Sequence, residues 1–262
     1  MKRQEFILSS EELSFALALC QFDGIASSIL KESVGDVTEE GIELIFQTAS
    51  RSLFTKGILL SLDEENPNKA FINGFSELLE GLATSNNMFR AYNENENGKF
   101  VLTAHRSRNG LIFHIVSNQI IHVLSEVSQE ELIEEITAFF QPQFKTWDSI
   151  QFSVNEKDFE EFMQSVKLKT LIIVDSNANQ FLNDFHENKG NLVNFSLIRT
   201  EDDGITHFLE VVMLLSGKDR IWALKEEADG SEININIKTL DKMKWQQLLE
   251  SVLSQLTTSK IS

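Results

Sequence analysis

Between Met88 and Phe140 the chain alternates short apolar runs with glycine turns and then closes on a capped helix. Met88–Tyr92, Lys99–His105, Leu111–Val116 and Ile120–Glu126 read as strands, with turns at Asn97-Gly98 and Asn109-Gly110. An Asn-Gly pair between apolar runs marks a tight hairpin, because both central residues of the favoured turn need positive φ. Ser128 and Glu131 then have capping-box spacing, and Ile133, Ile136 and Phe140 carry one helix face. Four runs joined this closely can only meander antiparallel, since a parallel pair needs a long crossover. The pattern recurs from Leu192 to Leu256. Its strands are Leu192–Arg199, Ile205–Leu215, Arg220–Lys225 and Ser231–Lys238. Its turns hold Asp203-Gly204, Ser216-Gly217 and Asp229-Gly230, and a helix runs from Leu240 to Leu256.

The segments ahead of each meander extend the parallel. In the first half, Ser9 and Glu12 open a helix reaching Gln21, with Leu8 and Leu13 as a hydrophobic staple. A soft segment follows to Gly35, then a helix over Thr38–Phe54, a strand-like Ile58–Leu62, and a helix after Pro67 that carries Phe71, Phe75, Leu78, Leu79 and Leu82. In the second half a helix with Phe159, Phe162, Met163 and Val166 precedes a strand, Leu168–Val174, and a helix with Phe181, Leu182 and Phe185. The expected fold is α+β with two quasi-equivalent halves, each an antiparallel four-strand meander with flanking helices, arising by internal duplication. The halves are 1–140, with one extra N-terminal helix, and 151–262, joined by a packed connector at 141–150 and expected to form one compact domain. Ile233, Ile235 and Ile237 alternate with polar residues, so that strand has one wet face. Arg220–Lys225 is apolar on both faces, which calls for cover from helices or a partner.

Chemistry is sparse. There is no glycine-rich phosphate loop, nucleophile elbow or HExxH. His114 and His122 flank the Ser117-Asn118-Gln119 loop and are expected opposite each other. Such a pair could hold a metal with His105, but half-exposed sheet positions are the better reading. Glu126, Glu130, Glu131, Glu134 and Glu135 surround a helix start, where carboxylates favour the helix dipole. Cys20, the sole cysteine, lies on an apolar helix face and excludes an internal disulfide. No metal, cofactor or catalytic residue is expected. A net charge of −17 repels phosphate backbones and anionic lipid. No apolar run is long enough to span a membrane, and the acidic segment after the start is no signal-peptide core, so a cytoplasmic protein is expected. Twenty phenylalanines imply a large aromatic core with some left for an interface.

Leu8-Ser-Ser-Glu-Glu-Leu13, the turn Leu53-x-x-Lys56-Gly57-Ile58-Leu59 and the Phe/Leu-rich third helix together resemble the EspG family, the cytosolic chaperones of type VII (ESX) secretion. The family's turn commonly has Arg where this chain has Lys56, and the low Pro and Ala content points to a distant branch. The resemblance implies a two-half α+β fold and a non-enzymatic role. That role is to hold the hydrophobic tip of a helical-hairpin secretion substrate of the PE–PPE kind, or here a WXG100- or LXG-like one. No family contact residue transfers position by position. The partner surface is expected at the Asn93, Glu94, Asn95, Glu96, Asn97 and Gly98 turn and at Trp222, Leu224 and Trp245; aromatic residues are enriched in cores as well as in binding centres, and the core is the favoured alternative for the two tryptophans. The alternative is an acidic interaction module such as a toxin-neutralising immunity protein, which would present clustered carboxylates instead of an apolar patch.

Overall fold

The computed structural model describes residues 3–62, 67–95, 98–106, 110–145, 149–168, 176–201, 203–229 and 232–258. The first half runs β1 (Phe6–Ser9), α1 (Ser10–Leu19), α2 (Asp23–Val34), α3 (Glu39–Thr55), α4 (Pro67–Ala70), α5 (Phe75–Thr84), β2 (Asn87–Asn95), β3 (Gly98–Arg106), β4 (Leu111–Ser117), β5 (Ile121–Val127) and α6 (Gln129–Phe140). The second runs β6 (Gln151–Asn155), α7 (Glu156–Leu168), α8 (Ser176–Glu187), β7 (Val193–Thr200), β8 (Thr206–Ser216), β9 (Ile221–Asp229), β10 (Glu232–Leu240) and α9 (Lys242–Thr258). The strand orders match: β1-β5-β4-β3-β2 in the first half and β6-β10-β9-β8-β7 in the second. The duplicated α+β plan is therefore present. The chain clusters into two compact units, Met1–Arg90 with Glu94–Leu132, and Ala91–Asn93 with Ile133–Ser262.

β1 and β6 go beyond the sequence reading. Each is a short strand that adds to the last strand of its meander and leads straight into a helix N-cap. Ser9 ends β1, and its hydroxyl accepts the Glu12 N–H at 3.3 Å while Glu12 Oε2 accepts the Ser9 N–H at 2.7 Å. Asn155 ends β6, and its Oδ1 accepts the Asp158 N–H at 2.8 Å. The soft segment before Gly35 is helical (α2), burying Ala26 and Leu30. Ile58–Leu62 is no strand: Leu59 makes one bridge to Phe71, while Leu60 and Leu62 face water. The third helix is broken into α4 and α5 by a turn ending at Gly74, whose φ of 86° suits glycine. The Leu168–Val174 strand expectation falls, after Leu168, on positions outside the described residues.

The Leu53–Leu59 turn ties two helices together. Leu53 and Leu59 are buried, and Gly57 turns the chain at a φ of +70°. Lys56 Nζ donates to Glu12 Oε2 at 2.6 Å and to the Ile7 carbonyl at 3.0 Å; Ser52 Oγ donates to Glu12 Oε1 at 2.6 Å. Burial alone would raise the Glu12 pKa, but the bonds from Lys56, Ser52 and the Ser9 N–H outweigh it and hold the carboxyl below its usual range. One carboxylate thus caps α1 and fastens it to α3.

In the first half the helices pack Leu13, Leu17, Leu53, Phe71, Phe75 and Leu79 against Phe6, Leu8, Ile112 and Leu124 of the sheet. In the second, Phe159, Phe162, Phe181 and Phe185 of α7 and α8 pack on Leu215, Trp222, Leu224, Ile235 and Ile237. α9 packs on β10 and buries Trp245, Leu249, Val252, Leu253 and Leu256. Helices of the same chain therefore supply the cover that the apolar β9 called for.

Candidate functional site

Trp222 and Leu224 alternate with Ile221 and Ala223 on β9, and all four are buried. The Trp222 ring meets Phe181 edge-on at 5.4 Å between centroids, and its Nε1–H donates to Asp184 Oδ2 at 2.7 Å. Trp245 on α9 stacks edge-on with Phe140 at 6.1 Å and donates to Thr137 Oγ1 at 2.9 Å. Leu224 was expected at a partner surface, and the two tryptophans at a partner surface or in the core. The apolar area of all three is spent in the core, and the one donor of each indole is satisfied.

The Asn93–Gly98 segment is also differently built. β2 continues through Asn93 and Glu94 to Asn95, and Gly98 begins β3, so the turn is shorter than expected. Glu96 and Asn97 lie outside the described residues. Asn93 is half-buried and donates through Nδ2 to the Phe139 carbonyl at 3.0 Å; Glu94 is exposed. Gly98 has φ 129°, and a Cβ there would collide with the Asn118 side chain.

The histidines are neither directly opposite nor half-exposed. His114 pairs with Leu124, and His122 with Val116, so the two are diagonal neighbours on one sheet face. His105, His114 and His122 are all buried there. They belong to a chain of hydrogen bonds whose direction follows from its end. Ser10 Oγ donates to the Gln119 carbonyl at 2.8 Å, so it accepts from His122 Nε2 at 3.0 Å. His122 Nδ1 then accepts from His114 Nε2 at 2.9 Å, His114 Nδ1 from Thr103 Oγ1 at 3.4 Å, and Thr103 Oγ1 from His105 Nε2 at 3.0 Å. The chain ends on His105 Nδ1, a buried acceptor with no partner among the described residues. Every imidazole must be neutral for this order to hold. Burial pushes His105 and His122 down to about 4, with nearby Glu11 partly opposing the drop at His122. Burial and the two neighbouring rings push His114 well below its ordinary value. Among the described residues no group of three or more His, Cys, Asp or Glu could hold a metal ion. The chain is a structural polar network. Cys20 is a free, part-buried thiol at the α1 C-cap, raised by burial to about 11, the setting of an unreactive cysteine.

What the second half does expose is a row of large apolar side chains on β8 and the turn before it: Ile205 at 54%, Phe208 at 65%, Leu209 at 41% and Val211 at 44%. The geometry of β8 explains it. β8 pairs with β7 from Thr206 to Leu214 but with β9 only from Met213 to Ser216. The β7–β8 register slips between Leu197 and Ile198: Leu197 faces Glu210, but Ile198 faces Phe208, leaving Leu209 as the extra residue of a bulge. Plain alternation would send Phe208 and Val211 to opposite faces. The bulge puts both on the face shared by Ser196 and Ile198. Alternation broken by one residue cannot be seen in a sequence, so this row was missed. Its only signal was Ile205-Thr-His-Phe-Leu-Glu-Val211, an apolar run without a clean period.

Two meanders, each edged by a short strand and flanked by helices, define a class of α+β protein already represented among solved structures. The fold is similar to that of EspG5, the Mycobacterium tuberculosis type VII secretion system chaperone, in the structure of its complex with the PE25–PPE41 dimer, with a TM-score of 0.61 at 13% identity over 98% of each chain. The sequence matches the family described as "Uncharacterised protein YfjC" over residues 5–249, and the chain belongs to that family. No curated protein matches it. At this identity the likeness to EspG5 is one of fold. No helix among the described residues is long and apolar enough to cross a membrane.

Proposed function

We propose that the chain is a cytoplasmic, non-enzymatic chaperone or adaptor that binds helical-hairpin substrates of a type VII secretion system, of the PE/PPE, WXG100 or LXG kind, and keeps them soluble. One observation carries the reading: the exposed row Ile205, Phe208, Leu209 and Val211, held on a sheet by a bulge, in a chain with a net charge of −17. Contiguous apolar side chains exposed on a soluble protein mark contact sites, and charge elsewhere keeps a loaded chaperone in solution. The fold shared with EspG5, itself described in complex with a PE25–PPE41 dimer, supports a partner of that kind.

The test is co-expression with helical-hairpin proteins encoded beside the chain. The expected result is a soluble 1:1 complex, lost in Phe208→Asp and Val211→Asp variants that melt like the parent. A partner held only by salt-sensitive charge contacts, and indifferent to Phe208, would point to the acidic inhibitor reading instead.

A further inference from the structure

Two hydrogen bonds, one at the turn on each end of β8, fix which way its backbone points. At the outer turn the Glu201 N–H donates to the Ile205 carbonyl at 2.9 Å, so that pair faces inward across the β7–β8 hairpin. Bonded and non-bonded pairs alternate along an antiparallel ladder. Thr206 and Phe208, paired with Thr200 and Ile198, therefore turn their N–H and C=O groups away from β7. At the inner turn the Gly217 N–H donates to the Arg220 carbonyl at 2.8 Å, which makes Leu215–Trp222 and Met213–Leu224 the bonded pairs of β8 and β9. Val211, two residues from Met213, points its backbone the same way. From Phe208 to Val211 is an odd step, and the extra residue Leu209 absorbs it.

β9 continues to Asp229, yet its pairing with β8 stops at Met213–Leu224. Charge accounts for the stop. The same register carried on would set Glu210 directly against Glu227, and like charges opposed on a sheet repel. Instead Glu210 accepts from Lys225 Nζ at 2.6 Å and from Gln255 of α9 at 3.2 Å, while Glu227 accepts from Asn236 at 3.2 Å. Thr206, Phe208 and Val211 thus have no strand to pair with on the β9 side among the described residues. All three are exposed, as are Glu226 and Glu227 across the gap. Glu201 and Asp203 of the outer turn are exposed acids as well. Of the nearby cations, Lys225 is bonded to Glu210, and Arg199 lies with its partner His207 toward β7.

Unpaired amides and carbonyls beside exposed apolar side chains specify what fits them. A helix satisfies its own backbone; an extended strand supplies the missing partners. We infer that the β8 edge from Thr206 to Val211 takes an extended segment of a second protein as an added strand. That segment is apolar on the face of Phe208 and Val211 and carries Lys or Arg on the face of Glu210 and Glu227. The inference rests on the β8 row being the partner site, and adds that the part of the substrate held there is a non-helical tail or turn. The β8 strand of a second copy would bring another Glu210 where a cation is wanted.

The probe is a short peptide alternating Val and Lys, with its Val/Glu counterpart as control, added to the full chain. The Val/Lys peptide should bind 1:1 and slow hydrogen exchange at the Thr206, Phe208 and Val211 amides at least tenfold; the Val/Glu peptide should do neither. Thr206→Pro removes an N–H that no bond to β7 uses, at the kind of edge position where proline is tolerated. It should weaken peptide binding at least tenfold with an unchanged circular-dichroism melt. Binding that leaves the three amides exchanging as before, equal binding of both peptides, or no binding would overturn the inference. So would a dimer of the parent chain that Thr206→Pro dissociates, since the occupant would then be a second copy. With a co-expressed helical-hairpin protein, loss of the complex in Phe208→Asp but not in Thr206→Pro would overturn strand addition and leave the chaperone reading standing; loss in neither would overturn both.

Discussion

His114 illustrates how far a side chain's meaning depends on register. A direct pairing with His122 would have offered two adjacent ligands on a half-exposed sheet. The actual diagonal pairing buries both in a one-way hydrogen-bond chain that requires neutral rings. The folded pKa values of His105 and His122, about 4, lie below the roughly 6.5 of an unfolded histidine. The network's contribution is therefore fully present above about pH 6.5 and is lost as pH falls toward 4, at up to about 1.4 kcal/mol per pH unit for each group. Urea midpoints measured from pH 7 to 5 should fall, and should fall more gently in His105→Phe. A parent chain of constant stability over that window would contradict the neutral network. Thr103→Val keeps shape but strands a donor on His105 and an acceptor on His114. It should cost about 1–3 kcal/mol by denaturant titration.

Among the elements, those with local signals were legible and those set by distant contacts were not. The Ser9–Glu12 and Ser128–Glu131 boxes fix helix starts within four residues, and both form. β1 and β6 have no turn or hairpin of their own; each exists because the last strand of its meander leaves an open edge. α2 reads as soft because only Ala26 and Leu30 are buried among its twelve residues. The Leu53–Leu59 turn carried the family resemblance, and its lysine now has a physical reason: Lys56 compensates Glu12, whose side chain is 5% exposed. Ser9→Ala should cost about 1 kcal/mol in thermal or urea unfolding. Glu12→Ala should cost more, about 2 kcal/mol, because the bonds from Ser52 and Lys56 go as well as the cap. Equal losses would mean that Glu12 matters only as a cap. Trp222→Ala should cost about 3–5 kcal/mol as a core truncation, where a partner contact would have left stability unchanged.

Across the whole molecule, the duplicated α+β plan was readable because glycine turns and helix caps recur in the same order in both halves. The partner surface was not. Large aromatic residues are drawn to cores and interfaces alike, and Trp222 and Trp245 are in the core. Exposure at Phe208 depends on a single extra residue at Leu209. The most direct measurement of the chaperone reading is the amount of a neighbouring helical-hairpin protein kept soluble and co-purified at equal expression by the parent chain and by Phe208→Asp. The predicted result is a soluble complex with the parent, at least a tenfold loss with the variant, and equal melting temperatures for the two chains. Equal recovery with both would contradict it.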